Sequence, residues 1–108
     1  MQAAVETPSA EGIVGPGFRE QITGRLAQWR EQYAELVIDA IKASDRRRTE
    51  LARALDQLCE RRNRVLEALE TLTIATSQRQ WEFAQSRVES ACRELERTTL
   101  KLVQRVRG

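Results

Sequence analysis

The sequence predicts an all-α protein: an antiparallel helical hairpin or a three-helix, coiled-coil-like bundle, with a disordered N-terminal tail. Three observations support this fold class. Ala, Leu, Glu, Arg and Gln dominate the composition, as they do in long helices and coiled coils. Both prolines lie before residue 17, so the remainder lacks the strongest helix breaker. Three stretches then carry apolar residues at alternating intervals of three and four, which is the heptad pattern of packed helices.

The predicted tail covers residues 1–17, MQAAVETPSAEGIVGPG, which include two prolines and three glycines. Such a segment buries too little apolar surface to offset the conformational entropy that ordering costs. Residues 18–108 are long enough for one small domain, and we expect a single helical coiled-coil domain there.

The first predicted helix covers about residues 18–43 and the second about 45–74. The seam of the first helix comprises Ile22, Leu26, Trp29, Tyr33, Leu36 and Ala40. The second helix has its own seam: Leu51, Leu55, Leu58, Arg62, Val65, Leu69 and Leu72. The two seams differ in phase, which is a stutter in the heptad pattern. The connecting segment KASDRRR lacks glycine and proline, and its arginines would face the positive end of a new helix dipole. A continuous or kinked helix is therefore preferred here, with a tight turn as the alternative.

The third predicted helix covers about residues 78–106. Ser77 and Gln80 form an S-x-x-Q capping box in front of it. Its seam comprises Trp81, Ala84, Val88, Ala91, Leu95, Thr98 and Leu102. A turn near residues 75–77 would fold the second and third helices into an antiparallel hairpin.

A turn centred between residues 75 and 76 predicts the register of this hairpin. Cys59 would then lie opposite Cys92, and Arg62 opposite Glu89. A charged residue in an apolar seam, with a charged partner, costs stability and fixes the pairing. The two thiols are expected to be small buried hydrophobes, and a redox-switchable cross-link is the alternative.

Several classes of function lack the residues that they require. Histidine is absent, which removes the usual general base and the commonest metal ligand. Carboxylates at helical spacing, such as Asp56 with Glu60 and Glu67 with Glu70, are interpreted as solvated helix faces. The sequence thus predicts a protein that is not an enzyme and holds no cofactor or metal. It also lacks an apolar run long enough to span a membrane and a secretory signal, so we expect a cytoplasmic location.

The segment LARALDQLCERRNRVLEALETL, within a helical hairpin of this size, resembles the Leu- and charge-rich helix of small cytoplasmic chaperones of flagellar and type III export. The resemblance covers about residues 45 to 105. It implies a partner-binding protein that masks an apolar helix of a secretion substrate.

The predicted function is a non-enzymatic interaction protein, such as an adaptor, chaperone or assembly subunit, that self-associates or binds a partner helix. The phase break between the first two seams predicts that the first seam fits its own bundle poorly and stays exposed, and an exposed apolar strip usually marks an interface. The candidate partner-binding residues are Ile22, Leu26, Trp29, Tyr33, Leu36, Val37 and Ile41.

The alternative function is a small nucleic-acid-associated regulatory protein. Its candidate contacts repeat every fourth residue near the C-terminus: Arg93, Arg97, Lys101 and Arg105. From Arg97 onward the chain carries four basic residues and no acidic one. Contacts from such a stripe to phosphates would give binding that weakens with salt.

Overall fold

The computed structural model describes residues 15–107, and these form three helices. They are α1 (Gly15–Lys42), α2 (Asp45–Thr73) and α3 (Gln78–Arg107). The predicted all-α class is confirmed, and residues 15–107 contain no strand. Most of the predicted tail lies outside the described residues, but residues 15–17 belong to the first turn of α1. Within the described chain, no helix is both long and apolar enough to cross a membrane.

The helices pack as an up-down-up bundle. Arg19, near the start of α1, donates a hydrogen bond of 3.0 Å to the Oγ1 of Thr73 at the end of α2. At the opposite end of the bundle, the Nη2 of Arg107 lies 3.0 Å from the Oε1 of Glu35. Helix α1 therefore runs antiparallel to α2 and parallel to α3.

Side-chain size explains how closely the helices approach one another. The hairpin of α2 and α3 has small buried residues along its length, among them Ala68, Ala84, Val88 and Cys92. The backbones of α2 and α3 therefore lie closer together than either lies to α1. Helix α1 instead meets the hairpin through larger buried side chains: Phe18, Ile22, Trp29 and Leu36.

The chain turns between α1 and α2 at Ala43 and Ser44, so the preference for a continuous helix is wrong. Arg48 stabilises the turn that forms at this unpromising sequence. Its Nη2 donates to the backbone carbonyl oxygens of Ile41, at 3.4 Å, and Ala43, at 3.1 Å. A cation is unfavourable at the start of α2 but suits the negative C-terminal end of α1, whose carbonyls need donors.

The predicted cap of α3 is present in a modified form. The Oγ of Ser77 accepts a hydrogen bond of 3.1 Å from the backbone N–H of Gln80. The Gln80 side chain reaches back one residue further than a standard capping box, because its Oε1 accepts from the backbone N–H of Thr76 at 2.9 Å. This pair of contacts fixes the start of α3 and closes the hairpin.

Candidate interaction site

The seven predicted partner-binding residues lie along α1, and six of them face the hairpin. Ile22, Trp29 and Leu36 are at most 3% exposed. Three others are partly buried against the same core: Leu26, Tyr33 and Val37. Ile41 is 66% exposed. The expectation that this seam would be exposed is wrong, because the turn at residues 43–44 lets α1 face the hairpin whatever its phase relative to α2.

Trp29 connects all three helices. Its indole Nε1 donates a hydrogen bond of 2.8 Å to the Oγ1 of Thr99 on α3, and that hydroxyl donates in turn to the carbonyl of Leu95. The ring lies against Tyr33, with centroids 5.0 Å apart, and the Arg62 guanidinium of α2 lies 5.9 Å from its centroid. A buried indole N–H requires an acceptor, so this contact fixes both the height and the rotation of α1.

Arg62 therefore has a different role from the predicted one. It does not pair with Glu89 but lies over Trp29, in a cation–π arrangement. A seam position of α2 faces α1 as well as α3, and the planar guanidinium covers the aromatic ring while staying partly exposed to solvent.

Glu89 instead binds Arg25, a residue that the sequence reasoning missed. The Arg25 guanidinium contacts both carboxylate oxygens of Glu96, at 2.8 and 2.6 Å, and one oxygen of Glu89 at 2.8 Å. The hydrogen bond from Arg25 holds the pKa of Glu96 below its usual 4.5. Glu89 and Glu96 are one heptad apart, and Arg25 lies beside the seam residues Ile22 and Leu26. Charges that flank a heptad seam commonly pair between helices, so this spacing is the sequence signal for the contact.

The hairpin register is displaced from the predicted one by about a turn. The Nη1 of Arg61 lies 3.0 Å from the Oε2 of Glu94, whereas the predicted register sets Arg61 opposite Ser90. Helical side chains lean toward the N-terminus of their own helix. In this hairpin the lean points away from the turn on α2 and toward the turn on α3. The side chain of an α2 residue therefore contacts an α3 residue that lies further from the turn than counting equal numbers of residues along the two helices predicts.

The two cysteines are free thiols in different surroundings. Cys59 is partly buried, and its Sγ lies 3.2 Å from the phenol oxygen of Tyr33, to which it donates. Cys92 is 1% exposed in the core, and burial raises the pKa of its thiol. Cys59 thus contributes to the contact between α1 and α2.

The four residues of the predicted basic stripe are exposed on α3. Arg93 lies 3.7 Å from Glu89. Lys101 and Arg105 line a shallow groove with Gln57 of α2. The carboxylates of α3 nearest to the stripe are occupied by cations of other helices, because Arg25 binds Glu89 and Glu96, and Arg61 binds Glu94.

No cluster of metal ligands occurs within residues 15–107: His, Cys, Asp and Glu nowhere form a group of three that could hold an ion. The carboxylate pairs Asp56–Glu60 and Glu67–Glu70 are exposed. No protein-family model, no curated protein and no solved structure matches the chain. The resemblance to export chaperones therefore stays a prediction from sequence.

The substitution Thr99→Val is expected to destabilise the bundle by about 1–3 kcal/mol, because it leaves the buried Trp29 N–H without an acceptor. Urea unfolding of the single variants Thr99→Val and Trp29→Phe, and of the double variant, measures the coupling. The double variant should lose less than the sum of the single losses, since Phe has no donor to leave unpaired. Strict additivity would show that the hydrogen bond does not hold α1.

Glu96 gives the α1 contact a predictable pH dependence. Its folded-state pKa lies below the unfolded value, so its stabilisation is present above the unfolded pKa and is lost as the pH falls through the folded one. The partly exposed pair contributes about 1 kcal/mol near neutral pH. Glu96→Gln should thus differ most from wild type at about pH 7, and the difference should shrink as the pH falls through the folded-state pKa of Glu96.

Chemical unfolding across that pH range tests this expectation. Glu82→Gln is the matched control, because the exposed Glu82 carboxylate accepts a hydrogen bond from the neutral Gln78 amide rather than from a cation. This variant should follow the wild-type pH profile. A constant difference between Glu96→Gln and wild type at every pH would contradict the assigned role of Arg25.

Proposed function

We propose that this protein is a non-enzymatic helical interaction protein, an adaptor, chaperone or assembly subunit, whose α2–α3 hairpin binds one amphipathic helix at a time. In the free chain α1 occupies that position. A partner helix with similar anchors takes its place, or a partner hairpin receives α1. Recognition of a helix by its apolar face in a groove is a common mode of protein–protein binding.

The arrangement of α1 on the hairpin carries this proposal. The closest backbone packing lies within the hairpin, whereas α1 is attached by long side chains and a two-residue turn. Elements with fewer close contacts open at a lower free energy than the core that supports them. The anchors that hold α1, Trp29 and the bidentate Arg25, are also residue types that dominate binding energy at protein interfaces.

A complementation experiment tests whether the hairpin accepts a helix in trans. The full chain with Trp29→Asp has a weakened α1 of its own, so a synthetic peptide of residues 15–42 need not compete with an intact tethered helix. The wild-type peptide is expected to bind with a Kd on the order of micromolar and to raise the thermal stability of this variant. Fluorescence anisotropy of the labelled peptide and thermal unfolding measure both effects.

Two variant peptides make the result specific to the seam. A peptide with Leu36→Asp should fail, because Leu36 is 1% exposed in the bundle. A peptide with Ile38→Asp introduces the same charge two residues away, at a side chain that is 50% exposed, and should bind like wild type. No binding of the wild-type peptide, or equal binding of all three, would refute the proposal.

Nucleic-acid binding by α3 is a second candidate, and one observation favours it. Arg25 and Arg61 engage three carboxylates of α3. Within residues 15–107, no carboxylate forms an ion pair with the exposed Arg97, Lys101 or Arg105. Carboxylates that are paired with arginine repel phosphate less than unpaired carboxylates do. The stripe is therefore more basic in the bundle than its sequence indicates.

Salt-dependent binding to a DNA or RNA oligonucleotide tests the stripe. Replacing Arg97, Lys101 and Arg105 by Gln should weaken binding and lower the slope of log K against log salt by about one per lost phosphate contact. The control variant replaces Arg30, Arg64 and Arg79 by Gln, which removes the same charge elsewhere. Equal losses in both variants, or no binding by wild type, would exclude a specific role for the stripe.

A further inference from the structure

The geometry points to a specific partner for α1: a second copy of this chain. Helices α1 and α2 straighten at residues 43–44 into one long helix, and α1 then docks on the hairpin of the other copy. Two chains exchange α1 reciprocally and form a two-fold dimer. This inference rests on the proposed function in one respect, since both require α1 to leave its own hairpin.

The turn between α1 and α2 has little that enforces it. Only Ala43 and Ser44 separate the helices, and neither is a helix breaker. Ser44 has a φ of −62°, which is already helical, so only its ψ of 161° differs from a helical residue. Its side chain makes no capping hydrogen bond to α2. A rotation at ψ of Ser44 is thus the main change that a straight connection requires at this residue.

The start of α2 is also better placed within a long helix than at an end. Its first turn carries three arginines, Arg46, Arg47 and Arg48, against one acid, Asp45, and the dipole there favours the acid and disfavours the cations. The first N–H groups of α2 lack the carbonyl partners that a preceding turn would supply. A continuous helix supplies those carbonyls from the end of α1 and moves the arginines to its middle. Straightening therefore relieves both defects at once.

Arg48 is the contact that opposes straightening. Its guanidinium binds the carbonyls of Ile41 and Ala43 and lies 3.5 Å from the Oδ1 of Asp45. Its side chain is 53% exposed, and solvent-exposed ion pairs and hydrogen bonds contribute little. In a continuous helix the two carbonyls are taken by backbone N–H groups instead. Arg48 acts as a latch on the closed chain.

The seams of α1 and α2 remain compatible with a straight connection. Ala40, the last seam residue of α1, and Leu51, the first of α2, are eleven residues apart. Eleven residues make close to three full helical turns, so both residues project from nearly the same side of a continuous helix. The exposed Ile41 lies beside the hinge, where the long helices of two exchanged copies run side by side.

Exchange preserves the docking contacts of α1, because the second copy offers the same hairpin. The hydrogen bond from Trp29 to Thr99 and the contacts of Arg25 with Glu89 and Glu96 re-form between chains. The equilibrium between monomer and exchanged dimer then depends on the hinge and on protein concentration, because a higher concentration favours the dimer. A second copy therefore already has a hairpin surface that is complementary to α1.

A charge-exchange pair of full-length variants tests this inference. One copy carries Arg25→Glu, and the other carries Glu89→Arg with Glu96→Arg. Each copy alone has like charges between α1 and its own hairpin. After reciprocal exchange between the two copies, both α1 contacts pair opposite charges. Mixing should therefore yield a 1:1 dimer by size-exclusion chromatography with light scattering, while each copy alone forms no such dimer.

Variants of the hinge in the otherwise wild-type chain provide an independent measurement. Ser44→Ala with Arg48→Ala removes the latch and favours helix, and it should raise the dimerisation constant by about tenfold or more. Ser44→Ala with Arg47→Ala is the matched control and should raise it less. A Gly-Gly-Ser-Gly insertion after Ala43 should hold the chain monomeric, whereas the same insertion after Ala75 should leave the dimer fraction unchanged.

The outcomes distinguish this inference from the proposed function. A mixture that yields no 1:1 dimer, together with latch-free variants that stay monomeric up to about 500 μM, overturns α1 exchange between copies. Binding of the 15–42 peptide to the Trp29→Asp chain would still support a hairpin that accepts other helices. Failure of both experiments removes α1 displacement altogether. A dimer that forms equally well with the insertion after Ala43 also overturns the exchange, since it would not depend on a straight hinge.

Discussion

The buried hydrogen bond from Trp29 to Thr99 is the constraint on which the three-helix arrangement depends. Both residues are at most 3% exposed, and the indole N–H would lose its acceptor if α1 slid or rotated. With that position fixed, Arg25, one turn earlier on α1, lies between Glu89 and Glu96 of α3. Arg62 of α2 lies over the Trp29 ring. A buried polar contact of this kind specifies one arrangement where apolar packing alone would accept several.

The same contacts redistribute charge over the surface of α3. Arginines of α1 and α2 engage its carboxylates, while its own basic residues near the C-terminus remain exposed. The bundle therefore has a more basic face than the nearly balanced composition indicates, since the chain as a whole carries a formal charge of only +2.

In the proposed exchange, the seam of α1 has two uses that exclude each other. It completes the core of its own chain, or it completes the core of another. The choice would depend on the turn at residues 43–44, where a half-exposed Arg48 compensates for a helix start without a side-chain cap. The proposed helix exchange draws on weak local determinants at the hinge and strong determinants at the docking face. Little holds the turn in place, and docking on a second hairpin would restore the contacts of α1.

The sequence by itself determined the helical class, the hairpin turn with its Ser77 cap and most buried positions of α2 and α3, because apolar periodicity and capping chemistry are local. Two features of α1 were not determined by the sequence. One is the turn at Ser44, because the Arg48 side chain stabilises it by contacts across the turn, and the other is the burial of the α1 seam. The partners of Arg62 and Glu89 also depended on tertiary structure. Their choice requires the position of α1 and the lean of side chains in an antiparallel pair, neither of which a count along the chain contains.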